Sequence, residues 1–233
     1  MPNYGPLIST DNLIFLLDPA NPNCFGAGDS IAYDLINNRV CQGASGQPMA
    51  GTNVATPANM PIYSSSYGGV FNFSGGKGIN VDSDMGHPPA RTLALWVYKN
   101  STATQYLTDA RSNAGTWFLS NYSSYNITHA NNTTYNFQSP YATNTPAFIN
   151  DWLYIVIAGN TSGNKIYING RRVAEVSTNP TDMSLGKNFR IGTRYTYSSH
   201  WTGLMGPIQI WSAELTAPQI LCNYNANKGR FGL

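Results

Sequence analysis

Lys165-Ile-Tyr-Ile-Asn-Gly-Arg-Arg-Val173 places an Asn-Gly pair between two alternating runs. Asn169 and Gly170 both tolerate positive φ, the backbone requirement of a type I′ turn, whose twist matches that of paired strands. The stretch therefore reads as a β-hairpin. Just upstream, residues 152–158 form a nearly continuous apolar strand, and downstream residues 189–192 and 207–211 read as two more. The last third is thus a meander of antiparallel strands ahead of a single helical tail.

Working outward, residues 13–17 read as a first buried strand, stopped by Asp18-Pro19-Ala20-Asn21-Pro22, which cannot continue a ladder. Residues 31–35 fit a short strand or one helical turn. Residues 70–73 and 79–81, joined by Gly75-Gly76-Lys77-Gly78, read as a second hairpin. In residues 91–98, Leu93, Leu95 and Val97 alternate with Ala94, Trp96 and Tyr98, so both faces are apolar, as a central strand between packed layers requires. Between 106 and 148 the pattern thins to short pieces at 116–119 and 135–137. Residues 42–66, rich in Gly, Ser, Thr, Pro and Asn, read as a loop-rich insertion.

Residues 216–227 are the helix: Thr216 caps it, Pro218 sits in the first turn, and Gln219 completes a capping-box spacing. Many short strands and one helix predict an all-β protein, two antiparallel sheets packed as a sandwich with one short C-terminal helix. No linker, repeat or composition break divides the chain, so residues 1–233 are read as a single domain.

Charged residues are only 10% of the 233, while Gly (22), Pro (14) and Tyr (15) are plentiful. The predicted surface is polar and nearly uncharged, suited to packing against neighbours or to neutral sugars. A net charge of +2, with no basic cluster larger than Arg171-Arg172, argues against nucleic acid. No window approaches 18 consecutive apolar residues, so no membrane span is predicted. Of Cys24, Cys41 and Cys222, the first two are the one plausible bridge. Reduced, partly buried thiols are the favoured reading, because the amino terminus lacks the basic and apolar segments of a secretory signal.

The blocks Leu13 to Pro22, Tyr33-Asp34-Leu35 and Gly69 to Phe73 resemble the start of laminin-G-like, concanavalin A-like jelly-roll domains. Thr92 to Val97, Asp151 to Val156, Lys165 to Gly170, Arg190-Ile191-Gly192 and Gly206 to Trp211 are similar, in order, to that family's successive strands. The terminal Glu214 to Ile220 and Asn223 to Leu233 resemble the closing motif found in structural proteins of tailed phages, particularly marine and cyanobacterial ones. The resemblance implies a jelly-roll sandwich and, through the closing motif, a non-enzymatic virion component, a capsid decoration, fibre or tail-associated protein assembled in the host cytoplasm. Its partners would be other virion proteins, in a homo-oligomer for which a trimer is the working guess. The alternative is a lectin-like module that recognises host surface glycans.

Glycosidases of this resemblance carry Glu-x-Asp-x-x-Glu on one strand, because two carboxylates must flank the scissile oxygen. That motif is absent, and the two glutamates, Glu175 and Glu214, are far apart in sequence. His87, His129 and His200 lack metal-ligand spacing, and no Gly-x-Ser-x-Gly occurs. No catalytic residue and no required cofactor are assigned. Calcium is the one ion left open, because it draws oxygens from dispersed loops. Its candidates are Asp18, Asp34, Asp82 and Asp84, of which Asp18 and Asp34 serve equally well as turn caps. Tyr195, Tyr197, His200 and Trp201 in one aromatic loop, with Trp117 and Tyr122 in another, are the candidates for contact with a carbohydrate or a partner protein, with packing or assembly favoured.

Overall fold

The computed structural model describes residues 8–44, 57–86, 89–101, 103, 105–110, 118–122, 126–130, 137–138, 150–176, 189–194 and 197–233. Their strands, in chain order, are β1 (Leu13–Leu17), β2 (Ile31–Tyr33), β3 (Val40–Gly43), β4 (Ile62–Ser64), β5 (Val70–Phe73), β6 (Ile79–Val81), β7 (Ala90–Lys99) and β8 (Gln105–Asp109). There follow β9 (Phe118–Tyr122), β10 (Asn126–Ala130), β11 (Phe137–Gln138), β12 (Trp152–Asn160), β13 (Gly163–Ile168), β14 (Arg171–Val176), β15 (Phe189–Ile191) and β16 (Gly203–Trp211). One helix, α1 (Ala217–Asn227), and a 3₁₀ turn (Lys228–Phe231) follow the last strand.

All pairings are antiparallel and form two sheets. The first runs β14-β13-β12-β7-β16-β5-β4, with β1 also on β16; the second runs β11-β10-β9-β8-β15-β6-β3-β2. The two-sheet sandwich with one C-terminal helix expected from the sequence is the architecture found. The Asn-Gly hairpin is present as read, with Asn169 at φ 50° and Gly170 at φ 78° between β13 and β14.

Two readings need correction. The second hairpin does not exist: β5 lies in the first sheet and β6 in the second, so the Gly75–Gly78 turn carries the chain across the sandwich. The cause is burial. Phe71, Phe73, Ile79 and Val81 all enter the inter-sheet core, and a crossing segment feeds it from both sides. The meander likewise ends at β14, because β15 crosses to the second sheet and β16 returns to the middle of the first.

Strand β16 explains how one sheet serves two layers. Its register against β7 shifts between Met205 and Ile208, where Gly206 and Pro207 interrupt the ladder. Proline has no N–H to donate, and a bulge accommodates it. The extra residue lets Met205 and Ile208, three apart, both enter the core. That core holds Leu93, Leu95 and Val97 of β7 and Ile155 and Ile157 of β12 against Ile79, Leu107, Phe189 and Ile191.

The opposite face of the first sheet carries a second cluster, including Trp96, Trp152, Tyr154, Trp211, Ile220 and Phe231. Here α1 and the turn after it form the covering layer. Trp96 stacks on Phe231 at 4.4 Å and on Tyr224 at 5.7 Å between ring centroids, and Trp152 meets Phe231 at 4.3 Å. Thr216 N donates to Gln219 Oε1 at 2.9 Å, the reciprocal bond of the capping box.

Candidate functional site

Sheet register brings together polar residues that are distant in sequence. Gln42 on β3 stands opposite Asn80 on β6, Asn80 opposite Arg190 on β15, and Arg190 opposite Asp109 on β8. Registered partners share a face. The alternating neighbours Cys41, Ile79, Val81, Phe189 and Ile191 enter the core, so this row lies on the outer face of the second sheet. A register shift at Leu107, itself in the core, turns Tyr106 toward the same outer face as Asp109.

The row is sunken. Asp109 is 0%, Arg190 4% and Asn80 5% exposed. Charges are rarely held that deep without a partner, and here the Asp109 carboxylate acts on the Arg190 guanidinium. Burial lowers the pKa of Arg190, while Asp109 and Tyr197 pull it back up. Asn80 Oδ1 is a buried acceptor without a hydrogen-bond partner.

Beside the row, the segment between β15 and β16 folds back along β8. Gly192 N donates to Leu107 O at 2.7 Å, Tyr106 N to Ser199 O at 3.1 Å, and Thr202 N to Gln105 Oε1 at 3.2 Å. A tight turn, with Tyr197 N donating to Arg194 O at 2.9 Å, holds Tyr197 at φ 54°. Its hydroxyl donates to Gly76 O at 2.9 Å, and its ring meets His200 edge-on at 4.6 Å. Arg194 lies over the Tyr106 ring at 5.8 Å. Burial raises the pKa of Tyr197, with Arg190 opposing. Burial also lowers that of His200, against hydrogen bonds to the backbone of Lys77 and Tyr197, which favours a neutral imidazole near neutral pH.

Of the aromatic candidates, Tyr197 and His200 therefore come together beside the polar row. Tyr195 and Trp117 lie outside the described residues, and of Tyr122 the structure describes only its place on β9, opposite Asn126. Trp201 is a correction. It is 0% exposed and belongs to the inter-sheet core, so its ring offers no face to a sugar or a partner. Its backbone N–H donates to Gly192 O at 2.7 Å, and Lys99 Nζ sits 6.0 Å above the ring. Two residues later the chain enters β16, and that entry turns the indole inward.

The aspartates proposed for calcium do not converge. Asp18 takes two bonds from Arg230 Nη1, at 2.9 and 3.1 Å. Asp34 accepts from the backbone N–H of Leu16, Ile36 and Asn37 and from Arg39 at 2.8 Å. Asp84 accepts from Gly86 N, and Asp82 is exposed at the end of β6. Among the described residues, no three His, Cys, Asp or Glu side chains come together. Both glutamates lean on one lysine: Lys165 Nζ is 2.6 Å from Glu214 and 4.0 Å from Glu175, and Arg172 takes Glu175 at 2.7 Å. Each glutamate is thus held in an ion pair. Cys24 and Cys41 are buried and Cys222 is exposed, and none of the three is in a disulfide.

Against known proteins, the model of the concanavalin A-like lectin/glucanases superfamily matches residues 73–221. No curated protein matches the chain in sequence. Among solved structures, domain 4 of AbnA, an extracellular GH43 arabinanase of Geobacillus stearothermophilus in complex with arabinotriose, superposes with a TM-score of 0.65. That match has 17% identity and covers 90% of this chain and 97% of that one. The Trypanosoma rangeli sialidase superposes at 0.60 with 14% identity, covering 96% of this chain but 34% of the enzyme. A structure of botulinum neurotoxin type C, whose cell entry depends on two ganglioside molecules, superposes at 0.61 with 16% identity, covering 93% of this chain and 51% of that one. At these identities the likeness is one of fold.

Proposed function

The chain belongs to the concanavalin A-like lectin/glucanases superfamily, and from that premise we propose that it is a non-catalytic carbohydrate-binding module. The ligand lies against the outer face of the second sheet. The observation that carries this reading is the transverse row Gln42–Asn80–Arg190–Asp109, with Asn80 Oδ1 left unpartnered. At its half-buried end the row offers the Gln42 amide, both donor and acceptor, to a sugar hydroxyl, while the buried Asn80, Arg190 and Asp109 hold it from behind. Tyr106 and Tyr197 supply the aromatic flank on which the apolar side of a sugar ring packs. The AbnA domain is in complex with arabinotriose and cell entry of the neurotoxin depends on gangliosides, so both neutral pentose and sialylated probes belong in the test.

The test is a glycan array followed by calorimetric titration of whichever oligosaccharide binds. Gln42→Ala, at the half-buried end of the row, is expected to weaken binding about tenfold through one lost hydrogen bond, with an unchanged thermal melt. Arg190→Gln is expected to abolish binding. An array without hits, or binding untouched by Gln42→Ala, overturns the reading.

A second reading, a structural component of a tailed-phage particle, rests on the closing motif at 214–233 alone. It requires the protein to be found in purified particles, where mass spectrometry and an electron-microscopy map would locate it and count its copies.

A further inference from the structure

A second concavity lies on the other side of the molecule, where α1 crosses the start of β12 beside the β13–β14 turn. Asn169 anchors that turn: its Oδ1 accepts from Tyr154 N at 2.9 Å, and its own N–H donates to Tyr154 O at 2.9 Å. Gly170 packs against the helix so closely that a Cβ there would sit 2.8 Å from Leu221 Cδ1. Between these supports is a cleft of about 660 Å³, within the size range of small-molecule sites.

Its lining is two-natured. Trp152, Leu153 and Ile168 give an apolar floor, continued on the helix side by Leu221, which is 45% exposed. Two cations, Arg171 and Lys228, stand at the cleft against a single acidic side chain, Asp151. Neighbouring Arg172 is committed to Glu175 at 2.7 Å, whereas Arg171 has no ion-pair or hydrogen-bond partner among the described residues. Lys228 rests 5.7 Å above the Tyr224 ring. An independent observation is that Trp152, only 4% exposed, keeps its indole N–H without an acceptor. A buried donor in that condition costs free energy until an acceptor arrives.

We propose that this cleft binds an amphiphilic organic anion, a carboxylate or sulfonate carried on an apolar body. The headgroup takes Arg171 and Lys228 as charge-assisted donors, and the body replaces water against the floor and Leu221. The site owes nothing to the polar row on the second sheet, so each stands or falls alone.

The probe is anilinonaphthalene sulfonate, whose fluorescence rises on entering an apolar site, with decanoate as competitor and decanol as its uncharged counterpart. The expected result is saturable binding at one site, displaced by decanoate far better than by decanol. Arg171→Glu and Lys228→Glu are each expected to weaken it about tenfold or more, and Leu221→Glu to do the same from the apolar side. Arg190→Gln is expected to leave it unchanged. Near-UV circular dichroism on every variant separates loss of the site from loss of the fold, because a loosened core would bind more dye, not less. Non-saturable binding, equal displacement by decanol, or charge-reversed variants that bind as the parent does would overturn the proposal.

Discussion

Single residues show most directly how far composition misleads about position. Trp201 sits in a polar, aromatic loop, yet it is a core residue, and Lys99 is carried in with it at 3% exposure. The amine donates to Ala103 O at 3.0 Å and lies over the Trp201 ring, and burial still pushes its pKa down to about 8. From about pH 8 upward the unfolded chain, with an ordinary lysine near 10.5, binds more protons than the folded one, so this group makes stability rise with pH. Above the usual thiol range the sign reverses. Burial raises Cys24 to about 12 and raises Cys41 well above its ordinary value, so the unfolded chain loses those protons first and stability falls. The window in which Lys99 dominates is therefore about pH 8 to 9. Urea denaturation at about pH 7, 8 and 9 is expected to show stability rising across that window in the parent chain. Lys99→Met is expected to lose the rise. A rise that persists in Lys99→Met would assign it to another group.

Elements repeat the lesson at larger size. The Asn169-Gly170 turn was legible because two adjacent residues that tolerate positive φ leave few alternatives, and both occupy that region. Gly170→Ala is expected to cost about 1–2 kcal/mol, since it forces a β-carbon into a left-handed conformation and toward Leu221. Thermal melts would show a lower midpoint, and dye binding at the cleft should weaken with it; an unchanged midpoint would mean the helix simply slides aside. Strands β1, β5 and β6 and helix α1 were equally plain, each from a short apolar run or a cap. Sheet membership was not. Nothing local in Gly75-Gly76-Lys77-Gly78 distinguishes a hairpin from a crossing, because the choice depends on which core receives Phe73 and Ile79. The polar row was illegible for the same reason: Gln42, Asn80, Asp109 and Arg190 come from four separated segments, and only register aligns them. A faint signal existed in Asn80 and Arg190, each a lone polar residue in an apolar triplet.

At the scale of the whole molecule, the two ends of the described chain are fastened to each other. Ser9 donates its N–H to Asn223 Oδ1 at 2.7 Å, and its carbonyl accepts from Trp211 Nε1 at 2.8 Å. Arg230 closes the arrangement. Its Nη1 holds Asp18 at the end of β1, its Nε donates to Tyr67 O at 2.7 Å, and its Nη2 donates to Gly69 O. One guanidinium thus joins the first strand, the turn before β5 and the tail that carries Phe231 over Trp96 and Trp152. A planar fork with donors on three separate nitrogens can serve three acceptors that lie apart, whereas a lysine must reach them all from one nitrogen. Arg230→Ala is expected to cost about 2–3 kcal/mol, from charged hydrogen bonds lost at a partly buried site, and Arg230→Lys to recover little of that. If the latch makes the termini one cooperative unit, amides of β1 and α1 should exchange together, and both should speed up in Arg230→Ala while β12 and β13 keep their protection. Faster exchange in α1 alone would instead make the helix an independently fraying cover, held by Phe231 packing and not by its bond to the first strand.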